Sequence, residues 1–149
     1  MIATSSSPEK LDRLRQLGAD HVINYVETPE WGRRAKEITG GRGVDLVVEV
    51  VASNMYQSVA ACRMNGRISL VGALGGIKGE VPLARVFTQQ LRIEGLRVGS
   101  RADQEDMIQG LAATGIKPVV DCVLPLEQLS EGYERQAAHG HFGKICIEI

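Results

Sequence analysis

The sequence predicts an α/β fold, a doubly wound parallel sheet with helices on its faces. Three observations carry this. Strand-like and helix-like segments alternate almost to the end of the 149 residues. The run VDLVVEVV, Val44–Val51, is nearly all apolar and rich in Val, which predicts a strand covered on both faces. No linker, internal repeat or low-complexity tract interrupts the pattern, and the length suits one domain with a real core.

Met1–Thr4 reads as the end of a buried strand. Ser7 is placed to cap a helix, Pro8 suits its first turn and Gly18 ends it, with Leu11, Leu14 and Leu17 recurring on one face. His21–Asn24 is a short strand. Thr28 and Pro29 open a second helix, which Gly40 and Gly41 stop. After Val44–Val51, Ser53 caps a third helix that runs through Cys62. Asn65 and Gly66 turn the chain into Arg67–Gly72, another buried strand. A Gly-rich loop leads to a short helix near Leu83–Gln90 and a strand over Leu91–Gly99. Ala102–Ala113 is a helix with Met107, Ile108 and Leu111 on its apolar face. Val119–Leu124, Leu126–Ala138 and Lys144–Ile149 follow as strand, helix and closing strand.

Composition excludes several classes. A formal net charge of -1 supplies no basic field for nucleic acid and no acidic tail. No apolar run approaches the roughly 20 residues a membrane span needs, and no segment has the order of a signal peptide. The expected location is therefore the cytoplasm, with no membrane or nucleic-acid partner. Cys62, Cys122 and Cys146 lie far apart and form no CxxC pair, which predicts reduced thiols.

The segments ATSSSPEKL, LGADHVINY, ITGGRGVDLVVEVV, GRISLVG and HFGKICIEI, in that order, resemble the nucleotide-binding domain of the medium-chain dehydrogenase/reductase superfamily. The zinc-type alcohol dehydrogenases and quinone oxidoreductases are its most similar members, and the likeness covers essentially the whole chain. The resemblance implies a Rossmann-like doubly wound parallel sheet lacking the first strand, Gly-rich turn and first helix. Residues 1–149 would form a single partial dinucleotide-binding domain, with the catalytic domain absent from the chain. No GxGxxG occurs: Gly40-Gly41-Arg42-Gly43 precedes a strand, and Gly72…Gly75-Gly76 has the wrong spacing. No catalytic residue and no metal ligand is assigned, and any zinc would belong to the absent domain. The chain alone is expected to be inactive.

The resemblance implies two cofactor sites. The loop after the first strand faces the adenosine ribose in such a fold. It carries Ser5, Ser6 and Ser7 rather than a carboxylate, so nothing there is expected to repel a 2′-phosphate. Lys10 adds positive charge, and Tyr25 of INY lies near the same phosphate or the adenine. These residues favour NADP over NAD. The second site is the carboxyl edge of the sheet, where Val50, Val51, Val71, Gly72 and Ala73 wall the cofactor. Ala52 stands where the family often has Gly. Val98 resembles the segment that holds the carboxamide, and Lys144 the basic residue near the pyrophosphate or ribose.

The implied function is the nucleotide-binding portion of an oxidoreductase that passes a hydride between nicotinamide and an alcohol, carbonyl or quinone-like small-molecule substrate. A non-catalytic nucleotide-binding or dimerisation module is the alternative, and a Rossmann-like methyltransferase a weaker one. A homodimer is expected for two reasons: the missing first strand would leave the strands at Met1–Thr4 and Val44–Val51 with unpaired apolar edges, and the resemblance implies that the strand over Arg92–Val98, which alternates polar and apolar residues up to Leu96, pairs with its copy across a two-fold axis. Glu49 lies within an apolar strand, where a buried carboxylate needs a partner or a raised pKa. His21 is read as structural, and His139 and His141 as turn residues without a third metal ligand nearby.

Overall fold

Ser7 sits in extended backbone, and its hydroxyl accepts the Lys10 N–H at 3.3 Å, which starts the first helix. The computed structural model describes residues 1–149. The chain folds as two compact units, Met1–Val98 and Gly99–Ile149.

The first unit runs β1 (Ile2–Ser5), α1 (Pro8–Gln16), β2 (His21–Asn24), α2 (Trp31–Ile38), β3 (Val44–Glu49), α3 (Met55–Ala61), β4 (Cys62–Leu70), α4 (Leu83–Thr88) and β5 (Arg92–Gly95). β1 and β2 pair in parallel, from Ile2 opposite His21 to Ser5 opposite Asn24. β3, β4 and β5 form a second parallel sheet in that order. Burial on α1 falls to Leu11, while Leu14 is half-buried and Leu17 exposed. Two apolar clusters hold the unit. Met55, Val59, Cys62 and Ile68 pack under Val47, Leu70 and Val86. Ile23, Ala35 and Ala61 pack with Ile2, Trp31 and Val44. A hydrogen bond from Gly32 N–H to Gln57 Oε1 at 2.9 Å joins α2 to α3.

The second unit runs α5 (Arg101–Thr114), β6 (Val120–Pro125), a 3-10 turn at Leu126–Gln128, α6 (Leu129–Ala137) and β7 (Lys144–Glu148). Ser100 and Asp103 form a reciprocal capping box on α5. β6 and β7 pair in parallel. The Asp121 carboxylate accepts Arg135 Nε–H at 2.7 Å and the Phe142 N–H at 3.0 Å, tying β6 to α6 and to the turn before β7. That arrangement raises the affinity of Arg135 for its proton, first through the hydrogen bond and then through charge.

The α/β class and the parallel strands agree with the sequence, and several details differ. The strands form three separate sheets rather than one continuous sheet. β3 is not covered on both faces. Val47 and Glu49 turn toward α3, but Leu46 and Val48 are 52% and 61% exposed because no element lies over them. The turn expected at Asn65-Gly66 falls inside β4. Its pairing with β3 steps from Val44–Cys62 to Leu46–Arg67, and Asn65 takes φ 57 to absorb the extra residues. Asn54, not Ser53, occupies the N-cap of α3, without a side-chain bond. α2 begins at Trp31 rather than at Thr28. β5 is shorter than the expected strand, ending at Gly95. The helix expected over Leu126–Ala138 is divided by the 3-10 turn. On α5, Met107 and Ile108 are exposed and only Leu111 is half-buried, so this helix rests on its caps more than on burial.

Candidate functional site

Carboxyl ends of parallel strands are where an α/β sheet binds ligands, because loops diverge there. At the end of β3, Glu49 is buried, and its carboxylate is fully engaged. Oε1 accepts the Val51 N–H at 2.8 Å and the Ala52 N–H at 3.0 Å, while Oε2 accepts the Ser58 hydroxyl of α3. Ala52 takes φ 65, a left-handed conformation uncommon outside glycine. The three bonds to Glu49 hold the loop in it.

A second loop leaves β4 and is sewn to the first. The Val71 N–H donates to Glu49 O at 2.8 Å, Leu74 N–H to Val50 O at 3.2 Å and Gly75 N–H to Val51 O at 2.9 Å. At Gly72 a Cβ would lie 2.8 Å from Val50 O, so only glycine fits this approach of the two loops. Between the loops and β5 lies a cavity of about 420 Å³, lined among others by Ala52, Val71, Gly72, Ala73, Lys78 and Ile93. Its wall is small and apolar, with Lys78 as the charged side chain. Such a concavity takes the flat face of a ring and leaves backbone groups to recognise polar edges.

At the end of β1, the Ser7 N–H donates to Ser5 Oγ at 3.3 Å, and Tyr25 N–H donates to Ser5 O at 3.2 Å. The Ser7 hydroxyl donates to Glu9 at 2.5 Å. This bond holds the Glu9 carboxyl below the usual carboxylate range. Ser6 is exposed, and Lys10 is half-buried one turn into α1.

The structure thus draws the implied residues into groups. Ser5, Ser6, Lys10 and Tyr25 lie around the β1 terminus, with Ser5 and Tyr25 joined through the backbone. Val71, Gly72 and Ala73 line the cavity beyond β4, and Val50 and Val51 bond to its second loop. Val98, 90% exposed, is the last residue of the first unit. Lys144 belongs to the second unit, at the start of β7, beside a cavity of about 320 Å³ also lined by Tyr133 and His141. Sequence reasoning did not reach Lys78, nor the part Glu49 plays in shaping the Ala52 loop. The signal for Glu49 was its charge inside an apolar strand. It also passed over Glu9, which puts a carboxylate beside the serine loop.

Residues 1–123 match the family described as zinc-binding dehydrogenase. A zinc-type alcohol dehydrogenase-like protein of Schizosaccharomyces pombe is 38% identical over 98% of this chain, which spans 44% of that protein. A solved NAD-dependent alcohol dehydrogenase superposes with a TM-score of 0.87 at 36% identity, over 99% of this chain and 43% of its own. A quinone oxidoreductase from Thermus thermophilus, solved also as a complex with NADPH, gives 0.79 at 26% identity, over 99% of this chain and 49% of its own. The chain spans less than half the length of each of these relatives. Its sequence and its fold agree on where it stands: the chain belongs to the zinc-binding dehydrogenase family, within the medium-chain dehydrogenase/reductase superfamily.

Proposed function

We propose that residues 1–149 are the nucleotide-binding portion of an NAD(P)-dependent oxidoreductase acting on an alcohol, carbonyl or quinone-like substrate. The observation that carries this reading is the small-residue cavity at the carboxyl ends of β3 and β4, shaped by the Glu49-held Ala52 loop and by Gly72. Its dimensions and apolar wall suit a nicotinamide-ribose moiety against Val71, Gly72 and Ala73, with Val50 and Val51 behind. The adenosine end would lie at the β1 terminus, held by Ser5, Ser6, Lys10 and Tyr25. When bound, the dinucleotide supplies hydride chemistry, and this chain's residues supply its orientation.

NADP is the favoured cofactor. Ser5 and Ser6 offer hydroxyls and Lys10 a cation to a 2′-phosphate, whereas Glu9 opposes it from the neighbouring turn. Titration calorimetry of the chain with NADP and NAD tests this. NADP is expected to bind more tightly, and Lys10→Ala to lower NADP affinity about tenfold while leaving NAD nearly unchanged. Equal binding of both, or an unaffected variant, would remove the assignment. A homodimer formed through β5 completes the reading. β5 pairs with β4 on one side only, and all four of its residues are exposed. Sedimentation is expected to show a dimer that Ile93→Pro dissociates.

A further inference from the structure

The loop that leaves β4 is pinned well beyond Gly72. A Cβ at Gly75 would collide with Ser53 Oγ, and a Cβ at Gly79 would lie 2.6 Å from Ala52 O. The chain thus returns twice to the Ala52 loop, at points where only glycine fits. Gly76 turns the segment between them at φ 125, and Lys78 stands on that segment, one residue before the second contact. Both ends of the segment are fixed, so Lys78 is held in the wall of the cavity beyond β4 rather than carried on a free loop. The wall contains no Asp, Glu, His or Arg, and Lys78 is its one charged residue. No carboxylate of the chain pairs with its ammonium, and the side chain is exposed, open to a ligand.

We propose that Lys78 is a specificity-determining residue that selects substrates carrying a carboxylate a few atoms from the reacting carbonyl. The inference rests on the nucleotide reading, which sets a nicotinamide ring against Val71, Gly72 and Ala73 of the same wall. A carbonyl poised to exchange hydride lies against that ring, and the ammonium in the shared wall is then within reach of an anionic substituent. An unpaired cation beside small apolar residues favours a carboxylate through a charge-assisted hydrogen bond. It gives nothing comparable to a neutral ketone of the same length. The apolar remainder of the wall, including Met55, Val81 and Ile93, accepts the carbon chain between the two groups.

The test titrates the full 149-residue chain, with and without NADP, using 4-oxopentanoate and 2-pentanone as probes, followed by nuclear magnetic resonance shifts. The two share a methyl ketone and five carbons and differ in the carboxylate. The keto acid is expected to bind at least about tenfold more tightly than the ketone. Lys78→Gln is expected to bring the two to parity, and Lys78→Arg, which keeps the charge, to preserve the preference. The proposal is overturned by no binding of the keto acid, by equal binding of the two probes, or by a preference that survives Lys78→Gln. It is overturned as well if Lys78→Gln weakens NADP and NAD alike, since the ammonium would then serve the dinucleotide's pyrophosphate. A chain that binds NADP without telling the probes apart fails this proposal alone. A chain that tells them apart through Lys78 yet binds no dinucleotide fails the nucleotide reading and keeps the carboxylate site.

Discussion

A carboxylate buried inside a valine-rich strand is costly unless its oxygens are satisfied. Glu49 meets that condition with two backbone N–H groups and the Ser58 hydroxyl. Its side chain acts as the template for the left-handed Ala52 loop, so its loss is felt beyond its own hydrogen bonds. Glu49→Gln places an amide donor among groups that already donate, and is expected to lower stability by about 1.5–3 kcal/mol in urea unfolding. The same variant is expected to weaken dinucleotide binding, whereas Asp106→Asn on exposed α5 leaves stability unchanged. Cys62 is the opposite case, a thiol buried in the core with nothing to ionise it. Burial pushes its pKa up to about 11, against the small opposing influence of Arg63 and Lys36. At pH 8, iodoacetamide followed by mass spectrometry is expected to label Cys122 and Cys146, with Cys62 reacting only on unfolding. The unfolded thiol ionises near its ordinary 9.0 and the folded one does not, so the unfolded state binds fewer protons in that window. Stability from this group is therefore full below about pH 9 and falls as pH rises toward 11.

The start of α1 and the order of strands and helices were legible in the sequence because their causes are local, whereas the starts of α2 and α3 were not. Ser7 caps α1 as its position before Pro8 foretold, and Ser7→Ala is expected to lower stability by about 1 kcal/mol. Gly43 enters β3 at φ +93, where a Cβ would meet Arg63 N at 2.6 Å. Gly43→Ala is expected to lower stability by about 3 kcal/mol, read from the midpoint of thermal or urea unfolding. That requirement was not legible. It is set by Cys62 and Arg63, which approach Gly43 only because β4 begins earlier than the apolar run Arg67–Gly72 suggests. The division of Leu126–Ala138 into a turn and a helix was hidden for a related reason, since both parts keep helical spacing. At the carboxyl edge of β4, position relative to the strand end drew attention to Val71, Gly72 and Ala73, and the structure places all three in the wall of a cavity. The Glu49 network needed the fold, because Ser58 meets it from the far side of a loop.

Much apolar surface in the first unit faces solvent. Leu46 and Val48 on β3 have no cover, and Leu74, Ile77, Leu83 and Phe87 are each at least 70% exposed. Surface of this kind marks places where ligands or chains bind. No helix is long and apolar enough to cross a membrane. The native chain is expected to enhance anilinonaphthalene sulfonate fluorescence at neutral pH. Adding NADP should reduce the part of that signal that comes from the loops beyond β4. A chain that binds no dye while remaining folded would show these surfaces to be already covered.

The ladders join only strands that follow one another in the chain: β1 with β2, β3 with β4, β4 with β5 and β6 with β7. Each closes over a single intervening helix or loop segment. Loop closure therefore spans short separations, and no pairing must wait for a distant part of the sequence. Rates of folding rise as contacts become more local, so secondary structure and ladder pairing are expected to form together and early. Slow steps, where they occur, then belong to side-chain packing around Met55, Val59 and Ile68 rather than to the search for strand partners.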